Sequence, residues 1–180
     1  LRQSGALALG PWVIPASVLG AEGTAPSERI TLGFIGVGMM GRGHLHRLLH
    51  ASDAQVLALA DVDRWRRETN QATVEARYAE QKAAGTYKGC DIYNDFRELL
   101  ARSDIDAVVI ATGERWHPLA TILAARAGKD IYVEKPVALV ISEARAMVTA
   151  VRRYGRVCQV GLQQRSGREF RLACQLVRDG

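Results

Sequence analysis

From Ile30 to the C-terminus, apolar runs of strand length alternate with longer stretches of helical periodicity, and that alternation leaves few folds open. The segments "ITLGFIG" (30–36), "AQVLALAD" (54–61), a short run at Ile92 and Tyr93, "IDAVVIAT" (105–112), "DIYVEKP" (130–136) and "RVCQVG" (156–161) read as six strands. Between them lie "GRGHLHRLLHA" (41–51), an arginine- and glutamate-rich helix from Asp63 to Ala84, "DFRELLARS" (95–103), "WHPLATILAARAG" (116–128) and "SEARAMVTAVRRYG" (142–155), with Ser142 as the N-cap of the last. Strands that are apolar almost throughout need cover on both faces, and helical crossovers supply it. The predicted fold class is therefore α/β, a doubly wound parallel sheet.

The turn between the first strand and first helix carries Gly36, Gly38 and Gly41 as G-x-G-x-x-G. Such spacing serves a dinucleotide: the first glycine closes a tight turn, the second lets the main chain approach a pyrophosphate, and the third lets helix pack on strand. The helix start then offers free N–H groups to the phosphates. Met39 and Met40 lie on the same turn, so Gly36, Gly38, Met39, Met40 and Gly41 are the predicted phosphate-side contacts. Asp61, 20 residues beyond Gly41 at the end of the second strand, is placed to accept the adenosine ribose hydroxyls. A carboxylate there repels a 2′-phosphate and favours NAD; Arg64, Arg66 or Arg67 could accommodate that phosphate and admit NADP. An S-adenosylmethionine site, or an ordinary glycine turn beside a strand-end acid, would use similar residues. A P-loop is excluded, because G-x-x-x-x-G-K-[ST] is absent.

In open α/β sheets ligands bind beyond the carboxyl ends of the strands. Those ends here read "ATGERWH", "EKP" and "VGLQQRS" for the fourth, fifth and sixth strands. Together, "GFIGVGMMG", "ADVD", "VVIATGERWH", "VEKPVAL" and "VGLQQRS" resemble the glucose-fructose oxidoreductase, inositol dehydrogenase and MocA (Gfo/Idh/MocA) family of NAD(P)-dependent enzymes over residues 30–180.

The resemblance implies a Rossmann domain whose Lys135 reaches the nicotinamide and hydrogen-bonds the substrate hydroxyl, assisting proton movement. It places Thr112 along the cofactor and Gln163 near the nicotinamide end. Pro136 biases Lys135 towards extended backbone and admits a cis bond. Glu134 either orients its loop or touches the cofactor, and His117 is either a cofactor contact or a capping or surface histidine. Members of the family commonly carry a proline after the threonine of "AT"; Gly113 stands there instead, which puts the geometry of Trp116 and His117 in doubt. The implied substrate is a small sugar or polyol. The implied reaction is hydride transfer, with an NAD-retaining glycosidase of the same family and a non-catalytic nucleotide-binding fragment as alternatives. A homo-oligomer is expected for the complete protein.

The remaining features bound these readings. The net charge of +5 comes from scattered arginines without an aromatic-plus-basic motif, so no nucleic-acid partner is expected. Cys90, Cys158 and Cys174 are widely spaced and read as small core residues. His44, His46 and His50 have no third ligand at useful spacing, so no metal site is expected and the three read as a solvated or pyrophosphate-side face. Residues 1–28 hold an interrupted apolar stretch and a polar linker, too broken for a membrane span, and resemble the remnant of a twin-arginine export signal to the periplasm; a disordered leader in a cytoplasmic protein is the alternative. The domain reading is thus leader and linker over 1–28, a Rossmann domain over 29–163, and over 164–180 the start of a connection to an α+β substrate domain expected to be missing.

Overall fold

The computed structural model describes residues 28–180, so the leader expected over 1–28 lies, but for Glu28, outside the described residues. Six strands form one parallel sheet: β1 (Ile30–Ile35), β2 (Ala54–Ala60), β3 (Asp91–Tyr93), β4 (Ala107–Ile110), β5 (Asp130–Glu134) and β6 (Cys158–Gly161). Their order is β3-β2-β1-β4-β5-β6, and every adjacent pair is parallel. The connections are α1 (Met39–Leu48), α2 (Arg64–Arg77), α3 (Ala79–Ala83), α4 (Phe96–Leu100), α5 (His117–Arg126) and α6 (Ile141–Arg153). A 3-10 turn at Gln163–Ser166 leads into α7 (Arg168–Asp179).

The alternation of side chains along each strand divides the core in two. Phe34, Val56, Leu59 and Val109 pack under Leu45 and Leu49, beside Val74 and Tyr78. On the opposite face, Ile110, Ile131 and Val133 pack against Leu99 and Leu100, Ala120 and Ala124, and Met147. Each fully buried branched or aromatic side chain contributes about 1.5–3 kcal/mol, so both layers stabilise the sheet. The chain winds first over one face and then, after β3, over the other. The adjacent strands β1 and β4 therefore send their connections apart, and a crevice opens at their carboxyl ends.

Three local features differ from the sequence reading. The helix expected from Asp63 to Ala84 breaks at Tyr78, which leaves helical geometry (φ −102°, ψ 17°). Its ring turns into the core against Tyr87, with centroids 4.8 Å apart, while its hydroxyl accepts the Val56 N–H at 3.3 Å. Ser142 does not cap α6: the cap position is Val140, which offers no side-chain bond, and Glu143 instead accepts the Leu139 N–H at 3.3 Å. Of the cysteines, Cys90 is buried, Cys158 half-buried and Cys174 exposed, because α7 has no buried residue. No helix among the described residues is long and apolar enough to cross a membrane.

Candidate functional site

The glycine turn is built by steric exclusion. Gly36 has φ +86°, and a Cβ there would meet the Ala111 carbonyl oxygen at 2.7 Å. At Gly41 a Cβ would lie 2.0 Å from the Gly36 oxygen, so α1 sits against the turn at backbone contact distance. Gly38 is different. Its φ is −67°, open to any residue, and the nearest atom to a Cβ there is the Arg66 Nη1 at 3.3 Å, the tip of a flexible side chain. Neither the backbone nor packing among the described residues demands glycine at 38, and its lack of a Cβ leaves the main chain open to close approach by a ligand. The first turn of α1 holds no acidic residue of its own, and the Asp61 carboxylate is the negative group that approaches this helix start, through the Val37 N–H. Met39 at its start is exposed and Met40 half-buried.

A groove of about 640 Å³ runs along this end of the sheet, lined by Gly36, Gly38, Asp61, Arg66, Phe96, Thr112 and Trp116 among others. Asp61 is held from both sides: Oδ2 accepts the Val37 N–H and Oδ1 the Asp63 N–H, each at 2.9 Å. Each oxygen keeps a further lone pair for a ligand hydroxyl. Of the three arginines near Asp61, Arg67 donates to the Asp61 carbonyl and to Asn94 Oδ1, and Arg64 is paired with Glu68 on the surface. Arg66 is the one that lines the groove. The Thr112 hydroxyl is buried with no hydrogen-bond partner among the described residues, an unusual state for a polar group. A Gly38 cradle, a carboxylate and an orphaned hydroxyl in one groove fit a dinucleotide.

Neither Glu134 nor Lys135 is among the residues that line the groove. β5 stops at Glu134, and Lys135 beyond it is exposed, with no side-chain hydrogen bond or ion pair among the described residues. The Lys135–Pro136 bond is cis. Glu134 is 2% exposed: its Oε1 lies 2.7 Å from His44 Nε2, and its Oε2 accepts the Lys135 N–H at 3.0 Å. Both oxygens are thus engaged inside the protein, which suits loop orientation rather than cofactor contact. Burial, and next the Glu134 carboxylate, push the neighbouring Tyr132 hydroxyl up from its ordinary value.

His117 is 1% exposed, neither a surface residue nor free to reach the groove. Its Nε2 accepts the Gly113 N–H at 3.0 Å, and its Nδ1 lies 2.7 Å from the Pro136 carbonyl. Gln163 opens the 3-10 turn after β6, exposed and outside the groove. His44 was expected on a solvated or pyrophosphate-side face, yet it is buried. Its position was legible in principle, because Gly41, His44, Leu45 and Leu48 form one helical stripe towards the sheet. No group of three metal-binding side chains occurs among the described residues.

The model of the Gfo/Idh/MocA oxidoreductases, described as an NAD-binding Rossmann fold, matches residues 30–162.

The chain belongs to the Gfo/Idh/MocA oxidoreductase family.

Among curated relatives, an alpha-N-acetylgalactosaminidase of Shewanella oneidensis is 32% identical over 158 residues, covering 85% of this chain and 32% of that protein. A glycosyl hydrolase family 109 protein of Shewanella sp. strain ANA-3 is 31% identical with the same coverage. The chain therefore spans about a third of the length of these relatives. Among solved structures, scyllo-inositol dehydrogenase of Lactobacillus casei, with bound NAD(H) and scyllo-inositol, is similar at TM-score 0.68 and 25% identity, covering 84% of this chain and 42% of that one. The myo-inositol 2-dehydrogenase of Lactobacillus plantarum shares the fold at TM-score 0.68 and 23% identity, with the same coverage of 84% and 42%.

Proposed function

We propose that this chain is the NAD-holding part of an oxidoreductase acting on a hydroxyl-bearing carbon of a sugar or polyol. The observation that carries it is the Gly38 cradle, required by no atom of the described residues, in the same groove as Asp61. NAD, when bound there, supplies the hydride acceptor. The residues of the chain hold and orient: the Gly36–Gly41 turn and the α1 start take the pyrophosphate, Asp61 the ribose hydroxyls, and Thr112 a polar group along the groove. Lys135, with no side-chain partner among the described residues, hydrogen-bonds the substrate hydroxyl and moves its proton. The Asp61 charge selects NAD over NADP, and Arg66 is the residue that would tolerate a 2′-phosphate. The substrate class follows the scyllo-inositol bound in the Lactobacillus casei enzyme and the sugar named for the Shewanella oneidensis relative. The test is titration with NADH and NADPH: NADH binding that is tighter than NADPH binding supports the reading, and no binding of either contradicts it.

A second reading is a glycosidase that retains NAD and ends each turnover with no net change in it. Its support is the higher identity to the Shewanella alpha-N-acetylgalactosaminidase, 32%, than to the Lactobacillus casei dehydrogenase, 25%. Net NADH production from a sugar by the complete protein selects the dehydrogenase; release of a sugar from a glycoside without NADH selects the glycosidase. We also propose that the leader over 1–28 directs twin-arginine export and that the complete protein is a homo-oligomer. Cell fractionation and light scattering test these two.

A further inference from the structure

The turn that carries Lys135 is gripped by two histidines that come from opposite faces of the sheet. His44 projects from α1, whose Leu45 belongs to one core layer; His117 opens α5, whose Ala120 and Ala124 belong to the other. His44 meets Glu134, the residue before Lys135, at 2.7 Å, and His117 meets Pro136, the residue after it, at 2.7 Å.

The proton positions follow from the partners. Arg47 donates from Nη2 to His44 Nδ1 at 3.0 Å, and since a guanidinium has no acceptor, Nδ1 is bare and Nε2 carries the hydrogen. His44 thus donates to the Glu134 carboxylate, whose other oxygen accepts the Lys135 N–H. At His117 the Gly113 N–H can only donate and the Pro136 carbonyl can only accept, so Nε2 is bare and Nδ1 carries the hydrogen. The two rings are held in opposite tautomers. A proline at 113 could neither supply this N–H nor adopt the observed φ of +90°. Room for the Glu134 carboxylate comes from β6, where a Cβ on Gly161 would lie 2.7 Å from Oε1 and 2.6 Å from the Tyr132 hydroxyl.

We propose that His44 and His117 are positioning residues that fix the Glu134–Lys135–Pro136 turn from both sides, so that Lys135 is presented at the nicotinamide end of the groove. This rests on the NAD reading above and on the place it gives Lys135. Neither histidine touches cofactor or substrate. Each acts through the main chain or carboxylate beside Lys135.

The test uses the 180-residue chain. Ring ¹⁵N spectra of the wild type at neutral pH are expected to show His44 as the Nε2–H tautomer and His117 as the Nδ1–H tautomer; the reverse assignment at either ring overturns the clamp without any variant having to fold. NADH and ADP-ribose are then titrated into the wild type, His44→Leu, His44→Gln, His117→Leu, Lys135→Ala and His44→Leu with Lys135→Ala. ADP-ribose lacks the nicotinamide, so loss of positioning is expected to weaken NADH about fivefold, the order of one hydrogen bond, and to leave ADP-ribose within about twofold. His44→Gln keeps an N–H towards Glu134 and is expected to recover most of the NADH affinity. In the double variant His44→Leu is expected to add nothing to Lys135→Ala. Equal weakening of both ligands, or additive losses in the double variant, overturns the positioning role. A wild type that binds neither ligand overturns the NAD reading itself, and the positioning proposal with it.

Discussion

Val37 donates its backbone N–H to the Asp61 carboxylate at 2.9 Å, so the acid at the end of β2 is fastened to the glycine turn at the end of β1. A single side chain thereby fixes the glycine turn and lines the groove beside it. Asp61→Asn keeps an acceptor for Val37 and removes the charge. The ratio of NADPH to NADH dissociation constants is expected to fall about tenfold, the size of one charge-assisted hydrogen bond. Calorimetric titration with each nucleotide measures it, and an unchanged ratio would deny Asp61 its selective role.

Gly41→Ala tests the turn as architecture. With a Cβ 2.0 Å from a carbonyl oxygen, the helix or the turn must move. Destabilisation of about 3 kcal/mol or more is expected in urea unfolding, at the upper end of overpacking costs. A loss below about 1 kcal/mol would show that α1 shifts freely at that point.

Alkaline pH tests the layer beneath α2. Burial raises the Tyr78 and Tyr87 hydroxyls, and burial, then the Glu75 and Asp91 carboxylates, pushes the Cys90 thiol up to about 12. All three groups are neutral when protonated, so the fold favours the proton while the unfolded chain loses it near the ordinary values of 9.0 for the thiol and 10.0 for the phenols. Their contribution is complete below pH 9.0 and is lost as pH rises through the raised values, at about 1.4 kcal/mol per unit for each group titrating only in the unfolded chain. Urea midpoints are expected to hold up to about pH 9 and to fall above it, and Cys90→Ala is expected to delay the onset. A midpoint flat to pH 11 would contradict the burial of these groups.

Much of this was legible in the sequence, and the divide is a physical one. The strands were legible because a parallel sheet covered on both faces needs runs such as "AVVI", and the glycine turn because its spacing obeys local sterics. The break at Tyr78 was not, since the ring leaves the helix for Tyr87 and Val56, partners that helical periodicity cannot see. Nor was the burial of Glu134, whose partner His44 lies 90 residues away. Gly113, which on sequence grounds only loosened a turn, supplies the N–H that orients His117. Side chains whose partners are distant in the chain escape pattern reading, and around Lys135 those are the ones that matter.

Lys135→Ala in the complete protein tests the chemistry. On the role proposed for Lys135, its removal is expected to lower kcat about 100-fold or more, while NADH affinity changes by a few-fold. Steady-state kinetics with a sugar or polyol substrate would show it. Full activity would remove Lys135 from the reaction.

The most direct measurement is NADH titration of Gly38→Val beside the wild type. Position 38 has a φ of −67° and only the Arg66 tip nearby, so the variant is expected to keep the wild-type circular dichroism spectrum while its NADH affinity falls about 100-fold or more, the pyrophosphate being displaced from the main chain. An intact fold with unchanged NADH affinity would contradict the assignment of the groove to the dinucleotide.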